Sequence, residues 1–416
     1  MFFRQPQGHN ELTSADKQIL QQTTIDANTP GSILHDFEAV LDFVVTKRPS
    51  LTQNHQLSMK TLAPLNEQLQ QPIQHGLKRP LQKSLPPVNG LYLLLRASGI
   101  TTVNTTTKTP KLLVDDVVLS SWQTLNATEK YFMLLESWLL RGSSEILGEV
   151  RGINSSLHAC LQFLSFLPDT GINAVQDSDA IERLRYRPEL HNLALMALFG
   201  FVDIEQGRPV DGEGWQIKSV KATPLAWAVF KIMADAYDPD KELFFKLEQP
   251  STILPGELRP FFHSYFPEWQ NNLNWPEHGF RDGRYVFKVE LFKDVWWRIA
   301  IPAHLYLEEL GLAILNAAGF DNDHLHRFIY PTRIGLQESV NHPYMDEGPF
   351  TDEVLVGDLP LDMGGSMLFN FDFGDNWYFY LTLEQIEPPD AKLKNPKLLE
   401  SHGAAPPQYP DYDDEW

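Results

Sequence analysis

The spacing of hydrophobic residues changes once along this chain of 416 residues. Before Tyr237 they recur every three or four residues, the period of a helix. From Arg284 they alternate, as in Tyr285–Phe292 and Val295–Ile301, the period of a strand. The pattern predicts a multidomain chain, α in its N-terminal region and α+β in its C-terminal region. Between them, Pro239, Pro250, Pro255, Pro260, Pro267 and Pro276 stand among Phe261, Phe262, Tyr265, Phe266 and Trp269. Aromatics of that density need burial, so residues 237–283 read as a packed connector rather than a free linker.

In the helical region a single order of elements occurs twice. In residues 33–118, Phe37, Val40, Leu41 and Val44 mark a helix. Ser58 caps a second, with Leu62, Leu65 and Leu69 on one face, and Pro86-Pro87 precedes a third, Leu91–Ala97. Two β-like stretches follow, Ile100–Asn104 and Lys111–Val114, joined by Thr105–Pro110. In residues 119–236 the helices are Ala127–Leu140, Leu157–Leu167 and Pro188–Phe199, the last ending at Gly200. Phe201–Glu205, the Gly-rich turn Gly207–Gly214 and Trp215–Val220 then form a hairpin, and Thr223-Pro224 opens another helix. Three helices and a hairpin is the order of a winged helix. The run Leu198-Phe-Gly-Phe-Val202 with Ala222-Thr-Pro-Leu-Ala226 resembles the end of many winged-helix domains. Residues 1–32 are polar and read as a mobile tail; their Ser14-x-x-Lys17 lacks the partner motifs of an acyl enzyme.

Charge is distributed unevenly in a chain of net charge −20. Residues 43–114 hold nine Lys/Arg against one acid, Glu67, whereas residues 341–416 hold sixteen acids against three Lys. A basic stretch inside an acidic chain suggests contact with a polyanion, DNA above all. The helix Leu91–Arg96 is too apolar to read bases. Contacts are therefore expected at phosphates, through Lys78, Arg79, Lys83, Lys108 and Lys111. A protein partner is the alternative. The single cysteine, Cys160, excludes a disulfide framework and a multi-cysteine zinc site. The longest apolar runs are too short to span a bilayer, and the first residues lack a secretory core, so a cytoplasmic chain is expected.

From Arg284, two strands lead to a helix with Leu307, Leu310 and Ile314 on one face, stopped at Gly319. Asp321–Phe328 runs into a strand, and Glu353–Val356, Met367–Phe373 and Tyr378–Leu383 read as further strands. This predicts an α+β roll, an antiparallel sheet with one main helix. Val295-Trp-Trp-Arg298-Ile-Ala-Ile-Pro302, Asp323-His-Leu-His-Arg-Phe328 and Asp372-Phe-Gly-Asp375-Asn-Trp377, in that order, resemble the plasmid pRiA4b ORF-3-like family over residues 284–416. The ending Gly403-Ala-Ala-Pro-Pro-Gln-Tyr resembles members that carry a helical region in front. Many members have a His where this chain has Phe379. The resemblance implies a setting on plasmids and mobile elements. It does not carry the resolvase label of some members, because a serine recombinase needs a nucleophilic Ser with nearby Arg residues in an N-terminal catalytic domain, and residues 1–32 offer nothing of the kind.

His324, His326, Asp372 and Asp375 are metal-ligand types. Residues two apart on an extended segment share a face, so both imidazoles could reach one ion beside two carboxylates, as in a metal-dependent hydrolase. The residues also suit structural duty, an Asp bonding a Gly turn and a His bonding a neighbouring strand. No metal and no cofactor are expected. The four are expected at one end of the sheet, with Trp296, Trp297 and Trp377 in the core and Arg298 paired to a carboxylate such as Asp375. The functional expectation is a non-enzymatic, nucleic-acid-associated protein of bacterial mobile DNA.

Overall fold

A computed structural model describes residues 11–104, 109–149, 155–247 and 249–409. The chain divides into two compact units, one reaching Pro276 and one running from Glu277. Helices and sheets are mixed along it.

The first unit opens with α1 (Ser14–Gln22), where a mobile tail was expected. The reason is local: Thr13 and Asp16 form a reciprocal capping box, and Leu20 is buried. Lys231 holds Asp16 at 2.6 Å. Then follow α2 (Ile33–Lys47), α3 (Met59–Gln68), α4 (Pro86–Ala97), the antiparallel strands β1 (Thr101–Asn104) and β2 (Lys111–Val114), and α5 (Asp116–Thr124). Helix α2 buries Phe37, Val40, Leu41 and Val44, as their spacing requires. Next come α6 (Ala127–Leu139), α7 (Ser156–Phe166), β3 (Ile172–Asn173), α8 (Ser178–Arg183) and α9 (Leu190–Leu198). The hairpin β4 (Val202–Gln206) and β5 (Ile217–Ala222) leads into α10 (Pro224–Ala236). Strands β3, β5 and β4 make one sheet in that order.

Both halves share an interior. Every residue of α4 is buried. Helix α9 lies so close that a Cβ on Gly90 would fall 2.7 Å from Leu195 Cγ. Each of these helices stops at a glycine in the left-handed region, Gly99 at φ 75° and Gly200 at φ 78°. An apolar residue then enters the hairpin, and the residue capping the next helix bonds back to it. The Asp115 N–H donates to Ile100 O at 2.9 Å, and the Thr223 N–H donates to Phe201 O at 2.9 Å.

After α10, the segment containing α11 (Glu242–Lys246) and α12 (Arg259–Phe262) is held by one face of α6. Glu129 accepts from the N–H groups of Gln270 and Asn271, and Trp269 stacks on Phe132 at 4.5 Å. The buried Glu136 accepts from the N–H groups of Gly256 at 2.8 Å and Leu258 at 2.7 Å. Burial pushes its pKa up to about 7 although Arg141 stands 3.7 Å away.

The second unit contains β6 (Arg284–Phe292), β7 (Val295–Pro302), α13 (Leu307–Ala318), β8 (His326–Pro331), β9 (Gln337–Asn341), β10 (Ser366–Phe371), β11 (Trp377–Glu387) and β12 (Lys397–His402). The strands form one antiparallel sheet in the order β12-β7-β6-β11-β10-β8-β9. Its inner face packs on Leu307, Leu310 and Ile314 of α13. Glu353–Val356 is not a strand. Leu355 makes only an isolated bridge to Tyr306, and a short 3-10 turn, Val356–Asp358, follows. Strands β9 and β12 were not foreseen. Every residue of β12 is exposed, so no buried face imposes alternation on its sequence. Among the described residues, no helix is long and apolar enough to cross a membrane.

Candidate functional site

Lys78, Arg79, Lys83 and Lys111 are all exposed; Lys108 lies outside the described residues. They do not sit on one element. Lys111 begins β2, Lys83 lies in a 3-10 turn, and Lys78 and Arg79 follow Gly76. Gly76 is tied to the second hairpin, donating to Glu213 O at 2.8 Å and accepting from the Gly212 N–H at 3.0 Å.

Two further cations stand beside Lys111. Helix α2 ends at Lys47, and Arg48 turns the chain in the left-handed region at φ 43°. The backbone then runs along β2. Ser50 bridges Lys111, the Leu112 N–H donates to Pro49 O at 3.2 Å, and the Leu51 N–H donates to Pro110 O at 2.7 Å. The end of α2 is thereby fastened to the foot of the first hairpin. Lys47, Arg48 and Lys111 are exposed there, and none forms an ion pair among the described residues. Arg96, by contrast, is buried on Tyr92 and is unavailable. The polar Thr-Lys-Arg-Pro-Ser run gives no strand signal, so this neighbourhood was not visible in the sequence.

In the second unit the four His/Asp residues split into two groups. Strand β8 begins only at His326, so His324 stands in the preceding loop and the two rings diverge. His324 Nε2 lies 3.5 Å from Asp372 and 3.1 Å from the Tyr409 hydroxyl. Tyr409 donates to Asp323 at 2.5 Å, which holds the Asp323 carboxyl below its ordinary range and pushes the Tyr409 pKa up to about 12. Gln408 bonds both Tyr409 and Asp323, so the segment after β12 is fastened to this loop. Asp372 takes φ 53° and accepts from the Gly374 N–H at 2.9 Å, which caps the Gly turn. Asp375 offers its backbone N–H to the same oxygen; its own side chain is exposed.

His326 is 1% exposed and faces Glu308 at 3.0 Å, Thr351 and the His342 ring at 4.7 Å. With Glu308 accepting, Nε2 carries the proton, and the buried Nδ1 has no partner. Burial works against ionisation of Glu308, but bonds from His326 and Thr351 outweigh it and hold its carboxyl below the ordinary range. Glu308, Thr351 and His342 are functional types that spacing could not connect to His326. Among the described residues, no three His, Cys, Asp or Glu side chains are arranged to hold a metal ion.

Arg298 does not meet Asp375. It pairs with Glu384 at 2.7 Å and with Glu400 on the neighbouring strand β12, and it lies over the Trp296 ring. Alternation places Arg298 and Trp296 on the outer sheet face, while Trp297 enters the core. Trp377 is half-buried against Phe320, and its buried Nε1 has no partner. Phe379 is fully buried among Phe369, Phe320 and Trp297.

Residues 284–411 match the family described as plasmid pRiA4b ORF-3-like protein, which bears out the resemblance read in the C-terminal region. Among solved structures, the crystal structure of a protein of unknown function from Methanosarcina mazei Go1 is similar. It has 23% identity, covers 30% of this chain and 73% of its own, and gives a TM-score of 0.28. No curated protein matches the chain.

Proposed function

We propose that residues 33–236 form two winged-helix-like halves that hold the phosphate backbone of a nucleic acid without reading its sequence. The role is that of a non-enzymatic accessory on bacterial mobile DNA. The observation that carries this reading is the trio Lys47, Arg48 and Lys111, gathered at the foot of the first hairpin without acid partners. An unpaired surface cation engages a phosphate without first giving up an ion pair, and the released counterions drive association. Helices α4 and α9 precede the hairpins, where a reading helix would stand, but they are turned inward on each other. Base edges are then out of reach, and contacts go to phosphates. The plasmid origin named in the family description supports the setting.

The test is fluorescence anisotropy of a labelled mixed-sequence duplex with the full chain. If three phosphates are held, affinity falls about 40-fold between roughly 50 and 200 mM salt. Absence of binding at the lower salt overturns the proposal, and so does binding that salt leaves unchanged.

A further inference from the structure

Between the end of α7 and the segment around α8 lies a groove of about 480 Å³ that the phosphate reading does not use. Phe163 and Leu184 are buried in its floor, whereas Phe166 and Tyr186 stand 76% and 75% exposed. Arg183 and Arg187 line it as well, and no acid does. Arg187 forms no ion pair among the described residues. Arg183 has an open contact of 3.7 Å with Asp177, both side chains being more than half exposed. Two aromatic rings held in water beside a concavity are an apolar surface waiting for cover. Covering them returns roughly 25 cal/mol for each Å² removed from water.

We infer that this groove docks an acidic peptide segment carrying an aromatic anchor. The anchor enters between Phe166 and Tyr186 and rests on Phe163 and Leu184. The carboxylates flanking it pair with Arg183 and Arg187. Charge decides the occupant: two guanidinium groups and no lining acid reject a basic segment and leave a purely apolar one without polar orientation. The volume is that of a small-molecule pocket, suited to one or two large side chains rather than a whole domain.

The chain's own last residues, Asp411-Tyr-Asp-Asp-Glu-Trp416, have this composition and supply the probe. A fluorescein-labelled peptide of that sequence is titrated with the full-length protein. Saturable binding is expected, weakened about tenfold by Arg183→Glu with Arg187→Glu and about tenfold by Phe166→Ser. A control peptide with Asn and Gln in place of the acids is expected to bind about tenfold more weakly. All three side chains are largely exposed or at the rim, and unchanged thermal melting checks that the variants fold. Absence of saturable binding overturns the inference, as does binding indifferent to both sets of substitutions. Sedimentation velocity without peptide supplies a separate outcome. Self-association that Phe166→Ser abolishes would give the groove to a second copy and overturn the peptide reading. None of these residues belongs to the Lys47, Arg48 and Lys111 group, so failure here leaves the phosphate proposal standing.

Discussion

Residues 86–124 and 190–236 run through the same devices in the same order. Each has a buried helix, a glycine in the left-handed region, an apolar residue, a hairpin, and a helix whose cap bonds back to that apolar residue. Their hairpins differ in charge. In the second, Lys218 meets Glu205 at 2.5 Å and Asp203 stands opposite Lys221, so its charges are compensated internally. Its tip is also bonded to Gly76. In the first, Lys111 has no acid partner and gathers Lys47 and Arg48 beside it. The interior tolerates little change because close-packed helices feel every methylene, while a hairpin surface is free to diverge. A shared frame therefore does not imply a shared surface: among the described residues, the first hairpin leaves Lys111 without the acid that faces Lys218 and Lys221 in the second.

The frame can be broken at its glycines. Gly200→Ala is expected to cost about 4 kcal/mol, because its Cβ would meet Pro30 O at 2.4 Å in addition to the left-handed strain. Gly99→Ala is expected to cost at least the left-handed strain, about 1–2 kcal/mol. Urea unfolding measures both, and a loss well below about 1 kcal/mol at either would contradict the left-handed strain at these glycines. Acid should separate the halves next. Burial holds His191 of α9 at about 4, below its ordinary value, whereas α4 has no histidine. Between the two values the unfolded chain binds a proton that the folded chain refuses, so His191 withdraws stability as pH drops from 6.5 toward 4, while Glu136, raised to about 7, works in the opposite sense. The loss reaches about 3 kcal/mol. His191→Gln should remove most of that dependence, read as urea midpoints at neutral and acid pH.

Charge removal gives a smaller effect. Replacing Lys47, Arg48 and Lys111 together by Ala should weaken duplex binding about tenfold in the anisotropy assay, while replacing Lys218 and Lys221 should change it less than about twofold. Comparable losses from both sets would erase the distinction between the hairpins. The caps come last. Asp115→Ala and Thr223→Ala should each cost about 1 kcal/mol by chemical denaturation, and matching values would sharpen the equivalence of the two frames.

What the sequence disclosed follows from the range of the interactions involved. The periodicities of α2 and α6, the stop at Gly200 and the Thr223 cap are local, and they read directly. The pairing of Arg298 was half legible. Its need for a carboxylate follows from its chemistry, but Glu384 and Glu400 reach it through strand register, and β12 carries no pattern to announce itself. The separation of His324 from His326 turned on where β8 begins, and strand boundaries are poorly marked in sequence. Helix α1 was hidden because its one buried apolar residue, Leu20, gives no stripe; its reciprocal cap was the available signal. The trio at the first hairpin depends on backbone pairing of Ser50 with Lys111, residues far apart in the chain.

The burial of α4 has a consequence for synthesis. Its apolar surface is completed by α9, and α4 ends at Ala97 while α9 ends at Leu198. A ribosome adding roughly 5–20 residues per second needs about 5–20 s to deliver the second helix after the first. For that interval the face of α4 around Gly90 lacks its covering partner on the nascent chain. The first half of this unit is therefore born as a client of whatever sequesters apolar segments at the ribosome, and the second half releases it.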